Sequence, residues 1–250
     1  MKKLITSDYN ALESDIDSIY FGVKSAKVYL FNGILSKIEQ DKLIVFLDSF
    51  DFVTIFNKNN HPENCLWIGS RTNAFLSDIN IQLEKTISES FTNDDNEVEI
   101  SDNFPFNKNI IKIAETAFTY SRFINDQNLN KMKAKHIYAD ITRNAFNKPE
   151  RFFCVIKKLN KIAGYSLFSF KGDRAIIELI AIDDIYRGQK IGKVLINNLE
   201  HFSYLSRFKF LQVGTQLNNL SAINFYLSMG FKPIEINSIY HYWPSLRDFK

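Results

Sequence analysis

Residues 176–199, IIELIAIDDIYRGQKIGKVLINNL, constrain this chain more than any other stretch. A nearly continuous apolar strand pattern breaks at a short turn, then passes through a glycine-containing loop into an amphipathic helix pattern. A helix start presents free N–H groups and the positive end of the helix dipole, and glycines let a polyphosphate approach that backbone closely. The segment therefore reads as an anion cradle. Arg187, Gly188 and Gly192 sit where the strand-to-helix turn needs them, and Lys190 and Lys193 add positive charge. The spacing is neither Walker A nor the dinucleotide GxGxxG fingerprint, which argues against an NTPase or a Rossmann dehydrogenase.

A second segment, FLQVGTQLNNLSAINFYLSMGFKP, pairs another strand with a helix entered through the polar Asn218–Asn219 turn. Asn219 can cap that helix or contact a ligand, Tyr226 falls on the same face about two turns on, and Gly230–Phe231 returns the chain to a strand. Upstream, residues 109–119 and 131–145 carry apolar residues at helical spacing. Residues 152–158, 162–170 and 174–182 are β-branched or aromatic runs divided by the turn signals LNK and KGD. The expected order is two helices, a three-stranded antiparallel meander, helix, strand, helix, and two strands near 233–236 and 239–243.

The polar, acidic stretch 88–103 lacks either period and marks the expected boundary: a smaller α/β domain over 1–95, a linker over 96–105 and the main domain over 106–250. In the first domain, β-rich runs at 26–30 and 52–55 flank a helical pattern around 35–50. The chain carries 23 Phe and 11 Tyr with 45% apolar residues, which excludes a disordered protein. Its net charge of +3 is spread among acids, so nothing announces a nucleic-acid groove.

The two glycine-containing segments together resemble the Gcn5-related N-acetyltransferases, the GNAT superfamily. RGQKIG looks like the family's acetyl-CoA loop, Q/R-x-x-G-x-G/A, and NLSAINFYLSMGF looks like its N-x-x-A-x-x-F-Y-x-x-x-G-F segment. The resemblance runs from about residue 105 to 250. It departs at Lys190, where the pattern prefers glycine, so the loop backbone must accommodate a side chain there. SIYFGVKSAKV (18–28) and AFTYSRFINDQNLNKMKAKHIYADITRNAF (117–146), with GTQLNN and the terminal YHYW, are similar to the dTDP-4-amino-4,6-dideoxygalactose (TDP-fucosamine) N-acetyltransferases. These carry a small N-terminal domain before the GNAT domain. The implied fold class is α+β, with a mixed, splayed central sheet preceded by a smaller α/β domain.

That resemblance implies transfer of an acetyl group from acetyl-CoA to the amino group of a nucleotide-linked amino sugar, by direct attack in a ternary complex. The backbone of Leu179, Ile180, Ala181 and Ile182 would pair with the pantetheine arm. Arg187, Gly188, Gln189, Lys190, Ile191, Gly192 and Lys193 would hold the pyrophosphate, and Asn219 would touch the CoA arm. Tyr226 is the expected general acid for the departing thiolate. Glu178 is the expected base, because strand alternation puts it on one face with Ile176, Ile180 and Ile182. Arg122 could bind the acceptor's diphosphate, Phe123 could stack on a base or sugar ring, and Gln216 is a further substrate-binding candidate. The N-terminal module would shape the acceptor side or form a homodimer contact. The alternatives are a GNAT enzyme acting on a peptide or other small amine, and a non-catalytic acyl-CoA-binding module.

The four histidines, His61, His136, His201 and His241, lack metal-ligand spacing, so no metal is expected. Cys65 and Cys154 lie in unrelated segments and read as buried thiols. The N-terminus reaches Ser7 and Asp8 before an apolar run of signal-peptide length can form, and no run approaches the roughly 18 apolar residues of a membrane span. A cytoplasmic protein with no membrane or nucleic-acid partner is expected.

Overall fold

The computed structural model describes residues 2–89, 97–146 and 148–249. The first part of the chain forms β1 (Lys3–Ile5), β2 (Tyr9–Glu13), α1 (Asp15–Phe21), β3 (Ser25–Leu30), α2 (Lys37–Leu47), β4 (Phe52–Asn57), α3 (Pro62–Arg71) and β5 (Phe75–Thr86). The second part forms β6 (Glu97–Ser101), α4 (Lys108–Ala117), α5 (Arg122–Asn125), α6 (Lys131–Ala145), β7 (Arg151–Lys158), β8 (Lys161–Lys171) and β9 (Arg174–Ile182). It ends with α7 (Ile191–Leu205), β10 (Phe210–Gln216), α8 (Leu220–Ser228) and β11 (Lys232–Tyr242).

All eleven strands join one sheet in the order β1-β2-β3-β4-β11-β5-β10-β9-β8-β7-β6. Among the described residues only β3–β4 and β9–β10 are parallel, each pair bridged by a helix. The unit β3-α2-β4-α3-β5 thus repeats as β9-α7-β10-α8-β11, related by a pseudo-two-fold between β5 and β11. Each unit's last strand lies on the far side of the other's: β5 pairs with β10 and β11, and β11 pairs with β4 and β5. The sheet therefore runs unbroken from the first part of the chain into the second.

Strand alternation distributes the core over both faces. On β7, Cys154 and Ile156 point towards α7 and α8, while Phe153 and Val155 point towards α4 and α6. On β4, Val53 and Ile55 point towards α2 and α3, while Phe52 joins Phe21 of α1, Phe123 of α5 and Ile137 of α6. The register between β5 and β11 puts α2, α3, α7 and α8 on one face, with α1, α4, α5 and α6 on the other.

Three sequence expectations need correction, that for the linker, that for the last two strands and that for Cys65 as a buried thiol. Residues 97–101, inside the expected linker, form β6 and pair with β7; the acidic residues 90–96 lie outside the described residues. The two strands expected near 233–236 and 239–243 are one strand, β11. Asn237 and Ser238 look like a turn, yet both are buried, and their side chains are satisfied by Asn59 N–H at 3.1 Å and by the Asn60 side chain. Cys154 is buried, and burial pushes its thiol up to about 12, whereas Cys65 is half-buried and accepts a hydrogen bond from Asn57.

Candidate active site

The two parallel pairs differ in one respect. β3 and β4 stay paired along their full length, from Ser25 opposite Phe52 to Leu30 opposite Asn57. β9 and β10 pair only from Arg174 opposite Phe210 to Ile177 opposite Val213. Beyond that point, residues 178–182 and 214–216 diverge, leaving backbone groups on the facing edges of both strands without each other as partners. A slot opens in the sheet, lined by Leu179, Ile180, Ala181 and Ile182 on one side.

A β-bulge sits at the mouth of this slot. Leu167 of β8 pairs with Leu179 and Phe168 pairs with Ile177, so Glu178 is the extra residue. The bulge resets the alternation: Ala175, Ile177, Ile180 and Ile182 face α7, whereas Leu179 and Ala181 face α4. Ile176 and Ile180 therefore lie on opposite faces, and the alternation argument for Glu178 does not hold. Its carboxylate instead pairs with Arg151 at 3.2 Å.

Past β9, Asp183 caps a short 3-10 turn, and Arg187 pairs with Asp184 at 2.7 Å. Gly188 and Lys190 both adopt left-handed backbone conformations, with φ of 75° and 63°. Lys190 thus holds a glycine-type conformation at the position where the family pattern prefers glycine. Gln189 accepts from Lys158 Nζ at 2.7 Å and donates to the Ile185 carbonyl. Lys190 is the N-cap of α7 but makes no side-chain cap bond, so the first-turn amides of α7 stay open. By contrast, Ser14, Ser36, Asn107, Ser121, Asn130 and Asn219 all cap their helices, and α3 opens with Pro62. Ile191 is buried at the base of the helix. Gly192 lets α7 approach its neighbours: an added Cβ would lie 3.1 Å from Phe225 Cζ and 3.3 Å from Ile182 Cδ1. Lys193 is exposed one residue on.

Asn219 accepts from Ala222 N–H at 3.1 Å and so acts as a cap, one turn after Gln216 ends β10. Tyr226 of α8 shares the core cluster of Ile177, Ile191 and Val213, and its ring packs on Phe225 and Phe231. Burial raises its phenol above the ordinary value of 10. No described residue hydrogen-bonds the Tyr226 hydroxyl, which leaves it free to serve a ligand.

The opposite face of the central strands forms a floor beside the slot. Tyr29, Phe56, Ile239 and Asp78 line up in register across β3, β4, β11 and β5. Two residues along β5, Asn80 lies opposite Gln216 of β10 and Asn237 of β11. Above this floor the Arg122 guanidinium lies 4.1 Å from the Phe123 ring centroid and 5.6 Å from that of Phe56. Arg122 Nε is buried without a partner. Phe123 itself is buried among Phe21, Phe52 and Trp243, so it supports the guanidinium from beneath.

A buried hub sets the position of α5. Asp126 accepts from His241 Nδ1 at 2.7 Å, Trp243 Nε1 at 2.9 Å and Asn128 N–H at 2.9 Å. Burial alone would raise the Asp126 carboxyl, but these hydrogen bonds outweigh it and hold the pKa below the ordinary value. Burial dominates at His241 and keeps its pKa below 6.5, so the ring is a neutral donor to an ionised carboxylate. Among the described residues no group of three or more His, Cys, Asp or Glu side chains could hold a metal ion, and no helix is long and apolar enough to cross a membrane.

Sequence reading missed β5 and its polar residues Asp78, Asn80 and Gln82. The signal was present, because Ile79, Ile81 and Leu83 alternate with them.

Residues 112–231 match the Acetyltransferase (GNAT) family. The chain is 31% identical over 135 residues to the spore coat polysaccharide biosynthesis protein SpsD of Bacillus subtilis (strain 168), an alignment covering 54% of this chain and 47% of that protein. The chain thus spans about half the length of that curated relative. Two solved structures share the fold over nearly the whole chain. A GCN5-related N-acetyltransferase from Kribbella flavida matches with TM-score 0.66 and 8% identity, over 96% of this chain and 89% of its own. A GCN5-related N-acetyltransferase from Sphaerobacter thermophilus matches with TM-score 0.63 and 10% identity, over 95% and 77% respectively.

Proposed function

We propose that the chain, whose residues 112–231 match the Acetyltransferase (GNAT) family, moves an acetyl group from acetyl-CoA to the amino group of a nucleotide-linked amino sugar such as dTDP-4-amino-4,6-dideoxygalactose. The observation that carries the reading is the slot between β9 and β10 beside the uncapped start of α7. Free amides at a helix start suit a pyrophosphate, and diverged strand edges suit the amides of a pantetheine arm.

In this reading, Arg187 exchanges its Asp184 pair for a phosphate, and the backbone from Gly188 to Lys193 closes around the anion. A free N–H of the diverged β9 segment polarises the thioester carbonyl. The acceptor amine attacks that carbon, the C–N bond forms and the C–S bond breaks. Tyr226 gives its proton to the departing thiolate. Glu178, at the bulge, takes the amine proton directly or through water, with Arg151 orienting it. Arg122 and Gln216 contribute to the acceptor side. The name of the Bacillus subtilis relative, a polysaccharide biosynthesis protein, supports a sugar acceptor. The reaction would run in the cytoplasm without a metal.

The test is release of free CoA, read with a thiol reagent, from acetyl-CoA and dTDP-4-amino-4,6-dideoxygalactose. Acceptor-dependent release with that sugar is expected. Release only with peptide amines would select a different acceptor, and tight acetyl-CoA binding without release to any amine would select a non-catalytic binding module.

A further inference from the structure

Asp78 is a carboxylate with unused capacity on the floor beside the slot. No described side chain hydrogen-bonds or ion-pairs with it, and the Ile79 backbone favours its charged form. Its place is fixed from both sides of β5. It faces Ile239 of β11, and two residues further on Asn80 faces Gln216 at the end of β10. Strand geometry puts that step at about 7 Å, within the length of a sugar ring and its substituents. Arg122 reaches over the same row from α5 and is close enough to favour the charged form of Asp78, although burial dominates and raises the carboxyl. Arg122 Nε also lacks a partner. The floor therefore offers a carboxylate without a side-chain partner and a guanidinium with an unpartnered Nε, within electrostatic reach of each other.

We infer that Asp78 receives the ammonium of the acceptor, while Arg122 takes the acceptor's anionic part. This rests on the acyl-transfer reading and assigns the group that recognises the amine of its acceptor. A carboxylate and a guanidinium each form charge-assisted hydrogen bonds with the matching half of such a molecule. Asp78 is a positioning residue here, since it binds the amine before the proton leaves.

The test is calorimetric binding of two probes, dTDP-4-amino-4,6-dideoxygalactose and dTDP-6-deoxygalactose, which bears a hydroxyl in place of the amine. A charge-assisted bond to the amine should make the intact chain prefer the first probe by roughly tenfold or more. Asp78→Asn should abolish the preference and Asp78→Glu should retain part of it, with acetyl-CoA binding unchanged in both. Arg122→Gln should weaken both probes alike and leave their ratio intact. Retention of the full preference in Asp78→Asn would overturn the inference. If Asp78→Asn fails to bind acetyl-CoA, and so has lost its fold, the decision passes to Asp78→Glu, whose reduced preference would support the assignment and whose full preference would overturn it. Binding of neither probe by the intact chain would instead defeat the nucleotide-sugar reading, and this inference with it.

Discussion

Tyr226 packs obliquely against Phe231, with ring centroids 5.5 Å apart and planes inclined at 61°. The ring is buried, yet no described residue hydrogen-bonds the hydroxyl. Tyr226→Phe should therefore cost less than about 0.5 kcal/mol of stability, because no internal bond is lost. In its proposed role, loss of the hydroxyl should lower turnover by about 100-fold or more, the usual scale for removal of a general acid, with acetyl-CoA affinity almost unchanged. Steady-state kinetics and thermal melts of the variant check both halves. Burial raises the phenol above its ordinary 10, so the acid form persists through the neutral range. In the intact chain, ionisation of Tyr226 should contribute no alkaline decline in turnover below pH 10.

Lys190 occupies a left-handed conformation with φ of 63°, which costs a residue with a Cβ about 1 kcal/mol relative to glycine. Lys190→Gly should raise the melting temperature by about 2–4 °C, as expected of a relief of that size in a chain of this length. The same change removes a positive charge from the α7 loop and should weaken CoA binding at low salt more than at high salt. Melting curves and a salt series of binding isotherms would show it.

β5 belongs by sequence to the first part of the chain and by packing to both. Seven of its residues, Asn80 to Thr86, pair with β10, and Leu83 is fully buried against α7 and α8. A fragment starting at residue 97 should therefore lack cooperative unfolding, despite containing all of residues 112–231. In the intact chain, Leu83→Ala should cost about 2–5 kcal/mol. A fragment that melts cooperatively and binds acetyl-CoA would contradict this role for β5.

His241 is held neutral by burial, with its pKa below the ordinary 6.5. The unfolded chain binds a proton at this site more readily, so the stability it contributes is present above pH 6.5 and lost as the pH falls below that value. Asp126, also depressed, adds a second loss at lower pH, below the ordinary carboxylate range. His241→Gln keeps a donor for Asp126 but cannot titrate. The gap in melting temperature between wild type and His241→Gln should narrow from pH 7 to pH 5.

Much of the second half is legible in the sequence because its signals are local. The loop from Arg187 to Gly192 and the Asn219 cap lie within a few residues of the elements they start. Positions set by distant partners were not legible. The bulge at Glu178 exists because of the register with β8, and nothing in AIIELIAI announces it. Asp78 alternates correctly for a strand, but its neighbours come from β11 and α5, far along the chain. Arg122 sits over the floor because Asp126 anchors α5 to His241 and Trp243. Asn237 and Ser238 read as a turn because the Asn59 and Asn60 groups that satisfy them come from another element.

The asymmetry between the two related halves gives the most direct test. One parallel pair opens beside bare helix amides, whereas its counterpart is zipped throughout and its helix is closed by the Ser36–Glu39 capping box. Titration calorimetry of the intact chain with acetyl-CoA should give one molecule bound per chain. Two molecules per chain, or no binding heat over a range of temperatures, would contradict it.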